Sequence, residues 1–316
     1  MVDHSAEVIS QGQVTAKPRL YLASSVDAGL MDYYCRTVMA YADTLRPQRK
    51  FGQTTRPDAW WVQPLFVFLG FSAFIIYSTW AAFNPSYHGG CAYYYNGNGA
   101  DYLSPFYSPE LWGMSPHALF GTAPGWWPSF LPAFSPAFLI LWIPGGFRFT
   151  CYYYRGAYYK SFWADPINCA VGEPRKTYLG EKYLPLIIQN VHRYFLYLAL
   201  AFVVLLSYDA FLAMWFTDAT GHKHFGIGVG TIIMVLNAVF IGLYTCGCHS
   251  LRHLIGGFLD SKSKAPTCAK SYNCVSCLNK KHMMWAWISL FWVGFTDVYI
   301  RLCATGHIND FVFFKL

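Results

Sequence analysis

His192 to Phe216 reads HRYFLYLALAFVVLLSYDAFLAMWF, and this stretch decides the class of the protein. Apart from its tyrosines, only His192, Arg193 and Asp209 in it can carry a charge. A helix needs about 20 predominantly apolar residues to cross a hydrocarbon core of about 30 Å. The stretch therefore reads as a membrane span. Working outward, four more segments satisfy the same test: Trp60 to Ala82, Phe130 to Phe149, Phe225 to Cys248 and Met283 to Ala304. The second carries Pro132, Pro136 and Pro144, so it is expected to be kinked or partly unwound and to lean on its neighbours for hydrogen bonds. Trp60, Trp61, Trp126, Trp127, Trp215 and Trp285 lie at the expected span ends, where interfacial tryptophans collect.

The composition agrees. Of 316 residues, 55% are hydrophobic, 20% aromatic and only 12% charged, with a mean hydropathy of +0.26, against roughly 25% charged residues in an ordinary soluble domain. The fold class expected is an all-α integral membrane protein with about five transmembrane helices in a bundle. Residues 1–58 form an N-terminal arm, 59–304 the membrane domain and 305–316 a C-terminal tail. The first fifty residues are polar and contain no apolar core of a signal peptide, so the N-terminus is expected to stay where it is made.

Lys and Arg set the orientation. They gather in the N-terminal arm, in the loop after the second span and in the loop after the fourth, whereas residues 83–129 contain none. By the positive-inside rule the N-terminus is cytoplasmic and the C-terminal tail external. The formal charge of +7 is thus topogenic, and no basic stripe or stacking platform for nucleic acid is present. The external segment CAYYYNGNGADYLSPFYSPELW, from Cys91 to Trp112, reads as an ordered loop or a helical hairpin cap.

This topology gathers Cys151, Cys169, His192, Cys246, His249, His253 and His282 near one membrane face. On a continuous fourth helix Cys246, His249 and His253 share one stripe and Cys248 points elsewhere. Two cysteines and two histidines would suit a Rieske-type [2Fe-2S] centre, and paired histidines from different helices would suit haem b. Taken singly, each also reads as an interfacial packing residue. Cys268, Cys274 and Cys277, with His282 as a fourth ligand, could hold a structural zinc, or could be free thiols. Gly226, Gly228 and Gly230 have no preceding strand and phosphate-binding motif, and read as close packing. Asp209, Asp297 and Arg301 lie within spans, as relay residues or as a buried ion pair.

The blocks TCYYYR (Thr150 to Arg155), SFW (Ser161 to Trp163), NxHRY (Asn190 to Tyr194) and CHSxRH (Cys248 to His253) are specific in combination. Over roughly residues 60 to 316 the chain resembles the membrane-anchor, cytochrome b-like subunit of haem-free actinobacterial succinate dehydrogenases. The resemblance implies a multi-pass protein of the bacterial inner membrane that docks a flavoprotein subunit and an iron-sulfur subunit and passes electrons to a membrane quinone. It also implies an embedded Rieske-type [2Fe-2S] cluster. Cys151, Cys169, His192, His249, His253 and His282 stand in matching blocks as candidate ligands. Cys151 and Cys169 are taken as the thiolates, with His249 or His253 contributing, and Cys246 and Cys248 as packing residues. Quinone needs a proton with each electron, so its site should offer hydrogen-bond donors near water. Tyr153, Tyr154, Arg155, Trp163 and Arg193 are the candidates. The alternatives are a haem b subunit of another quinone oxidoreductase and a proton-coupled transporter using Asp209 and Asp297.

Overall fold

The computed structural model describes Thr37 and residues 50–122, 124–127, 134–175, 183–184, 186–257 and 265–316. The chain divides into a unit of residues 1–49 and a unit of residues 50–316, and all elements named below belong to the second. Its first helix, α1 (Val62–Phe83), is apolar nearly all round and gives only Phe71, Ala81 and Ala82 to the buried interior. Leu65, Phe66, Leu69, Ile75 and Ile76 are exposed, which a helix tolerates when lipid surrounds it.

After α1 the chain forms two short antiparallel hairpins, β1 (Ser86–Tyr87) with β2 (Gly90–Cys91) and β3 (Tyr94–Tyr95) with β4 (Tyr102–Leu103). This segment is an ordered cap, built from hairpins and not from a helical pair. Tyr93, Tyr102 and Tyr107 are fully buried in it, and the rings of Tyr93 and Tyr107 stack at 3.9 Å. Gly99 has φ +76°, and a Cβ there would fall 1.9 Å from the carbonyl oxygen of Thr217, so only glycine fits.

The second span differs from the expectation of one helix over Phe130 to Phe149. It is two pieces, α2 (Ala137–Ile140) and α3 (Trp142–Phe149), with Pro136 just before the first and Pro144 in the first turn of the second, where a missing N–H costs little. Pro132 lies outside the described residues. The run still joins the two ends of the bundle, since Ala137 packs with Ala81 and Tyr107, and Phe147 with Leu196 and Tyr244. Thirteen residues at 1.5 Å each reach about 20 Å, short of the roughly 30 Å a full crossing needs.

The chain then forms α4 (Tyr152–Ser161), a 3-10 turn over Leu186–Val191, and α5 (His192–Leu212). Next come β5 (Trp215–Thr217), β6 (Lys223–Gly228) and α6 (Val229–Cys246), followed by α7 (His249–Gly256), α8 (Pro266–Lys280), α9 (His282–Ala304) and β7 (Val312–Lys315). Among the described residues four helices are long and apolar enough to cross a membrane: α1, α5 with its 3-10 turn, α6 and α9. The protein is a multi-pass membrane protein. The apolar residues Phe225 to Gly228, expected to open the fourth span, belong instead to β6, which pairs with β5 and with the C-terminal β7.

The helices α1, α5 and α9 begin at one end of the bundle, the His192 end, and finish at the other, the Asp297 end. Asp297 is completely buried, and Arg301 one turn further along α9 donates to it through Nε at 2.8 Å. Tyr77 donates to the same carboxylate at 2.5 Å, and Ser104 also donates to it. The remaining guanidinium N–H groups reach the carbonyls of Asn84 at 2.6 Å and Ala81 at 2.7 Å and the Tyr107 hydroxyl at 3.0 Å. Asp209 takes a hydrogen bond from Ser108 and is not the partner of Arg301.

Candidate redox centre and cavity

At the His192 end two helical elbows carry cysteines. Thr150 closes α3 and Cys151, in extended conformation at φ −67° and ψ 133°, opens α4. Gly247 closes α6 and Cys248, at φ −65° and ψ 139°, opens α7. Each break turns the cysteine inward, and both are buried, at 2% and 1% exposure. Gly247 is required by packing, because a Cβ there would lie 2.9 Å from the Leu243 carbonyl and 3.2 Å from Nδ1 of His282.

Each sulfur faces an imidazole. His192 Nε2 is 3.1 Å from Cys248 Sγ, and His282 Nε2 is 3.7 Å from Cys151 Sγ. Thr150 Oγ1 gives its hydrogen to the Gly146 carbonyl at 2.8 Å, so at 2.8 Å from His192 Nδ1 it accepts. That places the His192 proton on Nδ1 and leaves the Nε2 lone pair aimed at Cys248, the way a neighbour fixes the tautomer of a metal-binding histidine. His282 is 2% exposed and its Nδ1 has no hydrogen-bond partner. Phe147 stacks on His192 at 4.8 Å, Tyr244 stacks on His282 at 5.0 Å, and Phe147 meets Tyr244 edge-on at 5.5 Å, so the two pairs share one aromatic wall. Burial pushes the Cys248 thiol up to about 11 and raises that of Cys151, which keeps both protonated unless a cation draws them to thiolate. Among the described residues no three Cys, His, Asp or Glu donors stand together around one point, so the four form two pairs and not a closed cage.

A cavity of about 440 Å³ lies beside this wall, between Phe71, Phe74, Ile75, Leu290 and the polar groups of Arg148, Tyr154, Tyr158 and Trp163. A second of about 170 Å³, shared at Phe74, Ser78, Gly145 and Arg148, continues toward Phe147 and Tyr244. Arg148 donates to Ser289 Oγ at 3.0 Å, to the Ala286 carbonyl at 3.2 Å and to the Tyr154 hydroxyl, and it lies over the Tyr244 ring at 4.7 Å. Among the described residues no carboxylate pairs with it.

Residues 62–306 match the family described as actinobacterial succinate dehydrogenase subunit SdhC. The chain belongs to this family. It is also similar to a chain of the Mycobacterium smegmatis Sdh1 complex in the apo form, with 41% sequence identity and a TM-score of 0.73 over 85% of this chain and 97% of that one. No match is found among curated proteins. The protein is thus a membrane subunit of a succinate dehydrogenase complex.

In this SdhC-family chain the structure brings together Cys151, His192 and His282 of the residues singled out by sequence, and adds Cys248. Cys169 is exposed, in a loop held by Arg56, whose Nη1 donates to the Cys169 carbonyl at 3.0 Å and to Asn168 at 3.2 Å. His249 and His253 are exposed on α7, facing each other. Cys274 and Cys277 lie inside α8 and are exposed with Cys268, so CVSC is a helical turn without the reversal of a zinc knuckle, and His282 is turned away toward Cys151. Of the quinone candidates, Tyr154 and Trp163 line the larger cavity. Tyr153 instead faces His282 at 5.2 Å, Arg155 lies over the Tyr152 ring at 4.6 Å, and Arg193 is exposed. Sequence reasoning passed over Arg148, which it counted among topogenic charges, and its signal was its place at the end of a proline-broken span.

Proposed function

We propose that this chain is the membrane anchor of a succinate:quinone oxidoreductase. It docks a flavoprotein subunit and an iron-sulfur subunit at its His192 end and passes electrons to quinone with the help of a Rieske-type [2Fe-2S] centre. The described basic residues Arg148, Arg155, Lys160, Lys270, Lys280 and Lys281 lie toward that end, which the positive-inside rule makes cytoplasmic in a bacterial inner membrane. The observation that carries the reading is the meeting of two Cys–His pairs from four separate segments at one membrane edge, with Cys151, Cys248 and His282 buried and His192 half-buried. Two sulfurs and two imidazole nitrogens are the Rieske donor set, and an orphaned, buried His282 Nδ1 fits a guest better than a finished core. Both histidines facing sulfur favour this over haem b.

Cys151, Cys248, His192 and His282 would hold the centre, which when bound supplies a one-electron carrier at a potential suited to quinone. Thr150 fixes the ring of His192, and Gly247 lets α8 and His282 approach. The cavity beside Arg148 takes the quinone: its volume falls in the usual range for small-molecule pockets, and its walls are apolar with a few donors at one end. Arg148 places a fixed positive charge where negative charge grows on a quinone oxygen as electrons arrive. Tyr154, hydrogen-bonded to the Ala286 carbonyl at 2.5 Å, orients that guanidinium, and Tyr158 and Trp163 form the rim through which water supplies protons.

The test is metal analysis and EPR on the complex carrying single substitutions. His192→Ala, His282→Ala, Cys151→Ser and Cys248→Ser should each abolish a rhombic low-field iron-sulfur signal. Quinone reduction should fall by roughly 100-fold or more while succinate still reduces a soluble dye, since even outer-shell partners of a metal ligand are worth roughly 10–100-fold. Cys169→Ser should leave both intact. A signal that survives Cys248→Ser and is lost in Cys169→Ser would overturn the ligand set.

A further inference from the structure

His249 and His253 are left over once the buried pairs are assigned, and their arrangement has a chemistry of its own. They occupy i and i+4 of α7, so both rings project from one face a single turn apart. Their Nε2 atoms are 3.0 Å apart, the ring centroids 4.5 Å apart and the ring planes at 84°. Both side chains are exposed. Two nitrogens bound to one ion at about 2.0–2.1 Å stand roughly 2.9 Å apart at a right angle and roughly 3.4 Å apart at the tetrahedral angle. The observed separation falls between these values, so the two nitrogens that now share a hydrogen bond are spaced to share one ion in its place.

The helix that presents them is held in place. Leu251 is buried, the site of a Gly256 Cβ would lie 2.5 Å from the Tyr272 ring, and Arg252 donates to the Tyr272 hydroxyl at 2.8 Å while lying over that ring at 5.0 Å. The one cation within the turn is thereby drawn toward α8. We propose that His249 and His253 form a second metal site, a clamp on the surface of this chain for a divalent ion of the zinc and copper class, separate from the four-residue centre. Neutral imidazole suits these ions and not magnesium or calcium, and water completes the coordination, so the ion exchanges freely. The site does not depend on what the buried pairs hold.

The test uses the complex extracted in detergent, washed with chelator and alkylated at its exposed thiols, Cys169, Cys268, Cys274 and Cys277. Titrated with Cu2+, it should show one type-2 copper EPR signal with splitting from two nitrogens. His253→Ala should weaken the binding by at least ~10-fold, because even outer-shell partners of a metal ligand are worth roughly that much. His253→Ala should leave quinone reduction in metal-free buffer unchanged, which shows that the variant is folded. A wild-type copper signal without two-nitrogen coupling, or one that persists unaltered in the His249→Ala, His253→Ala double variant, would overturn the proposal. Because neither outcome involves the iron-sulfur signal, failure here leaves the reading of the buried pairs standing.

Discussion

Arg301 and Arg148 are two arginines inside the same helical bundle, one at each end, and their surroundings differ. Arg301 meets a buried carboxylate, two main-chain carbonyls and a tyrosine hydroxyl, and the carboxylate in turn accepts from Tyr77 and Ser104. Arg148 meets a serine, a carbonyl, a tyrosine hydroxyl and the faces of two rings, with cavities on its open side. Close to it the buried Nδ1 of His282 and Nε1 of Trp285 have no partner. A charge or polar group taken from water is costly unless its bonds are made. The Arg301–Asp297 group makes them internally and can serve as structure. The His192 end leaves capacity for what is brought to it.

The largest effect should come from breaking the closed network. Arg301→Leu strands Asp297, which is completely buried, and removing one member of a buried pair costs about 3–5 kcal/mol. Thermal unfolding of the detergent-extracted protein should move down by many degrees, or no folded protein should be recovered. The double variant Asp297→Leu, Arg301→Leu should regain part of the loss, because no charge is then left alone. An unchanged melting temperature in Arg301→Leu would show that the two ends do not divide the work in this way.

Arg148→Met should show the reverse pattern. No described carboxylate is stranded by it, so the melting temperature should shift by much less than in Arg301→Leu. The kcat/KM for quinone should fall by about tenfold, the effect of ~1.4 kcal/mol of lost transition-state stabilisation. If Arg148→Met instead lowers the melting temperature as far as Arg301→Leu does and leaves kcat/KM for quinone unchanged, the cavity-facing arginine is a packing residue, and the contrast between the ends fails.

The spans were legible because hydropathy over about 20 residues reports what lipid demands: the expected His192 to Phe216 and Met283 to Ala304 correspond to α5 and α9 with small shifts at their ends. Phe225 to Gly228 was misassigned because an apolar strand and an apolar helix start look alike, and its partner β7 lies far along the chain. At the site, Cys151, His192 and His282 were legible from their places at span ends. Cys248 was passed over because the helical-wheel argument carried the fourth helix straight through CGCHSLRH. The helix stops at Gly247, and that break turns Cys248 inward and leaves His249 and His253 outside, so the supposed stripe with Cys246 does not form. The glycine between the two cysteines was the available signal, since glycine past a helical run commonly marks its end. Cys169 could not be placed by sequence, because the Arg56 contact that fixes its loop spans more than a hundred residues.

The smallest expected effect lies in the cap at the Asp297 end, where closure by charge can be followed with pH. His117 Nε2 and Asp101 Oδ1 are 2.6 Å apart, with side chains 16% and 22% exposed. The Asp101 hydrogen bond raises the His117 pKa above its ordinary value, outweighing burial. Burial acts to raise that of Asp101, but the hydrogen bond and charge of His117 outweigh it and the net direction is down. A raised histidine contributes stability that is complete below its unfolded value near 6.5 and lost as pH rises through the folded value. A lowered carboxylate contributes stability that is present above its unfolded value near 3.9 and lost as pH falls through the folded value. The pair therefore stabilises the cap most between about pH 4 and pH 6.5, and by about 1 kcal/mol or less given its partial exposure. The melting temperature of the wild type should decline slightly from about pH 6 to pH 9, and Asp101→Asn should remove that part of the slope. A slope identical in Asp101→Asn would assign it to other groups and take the cap out of the closed network.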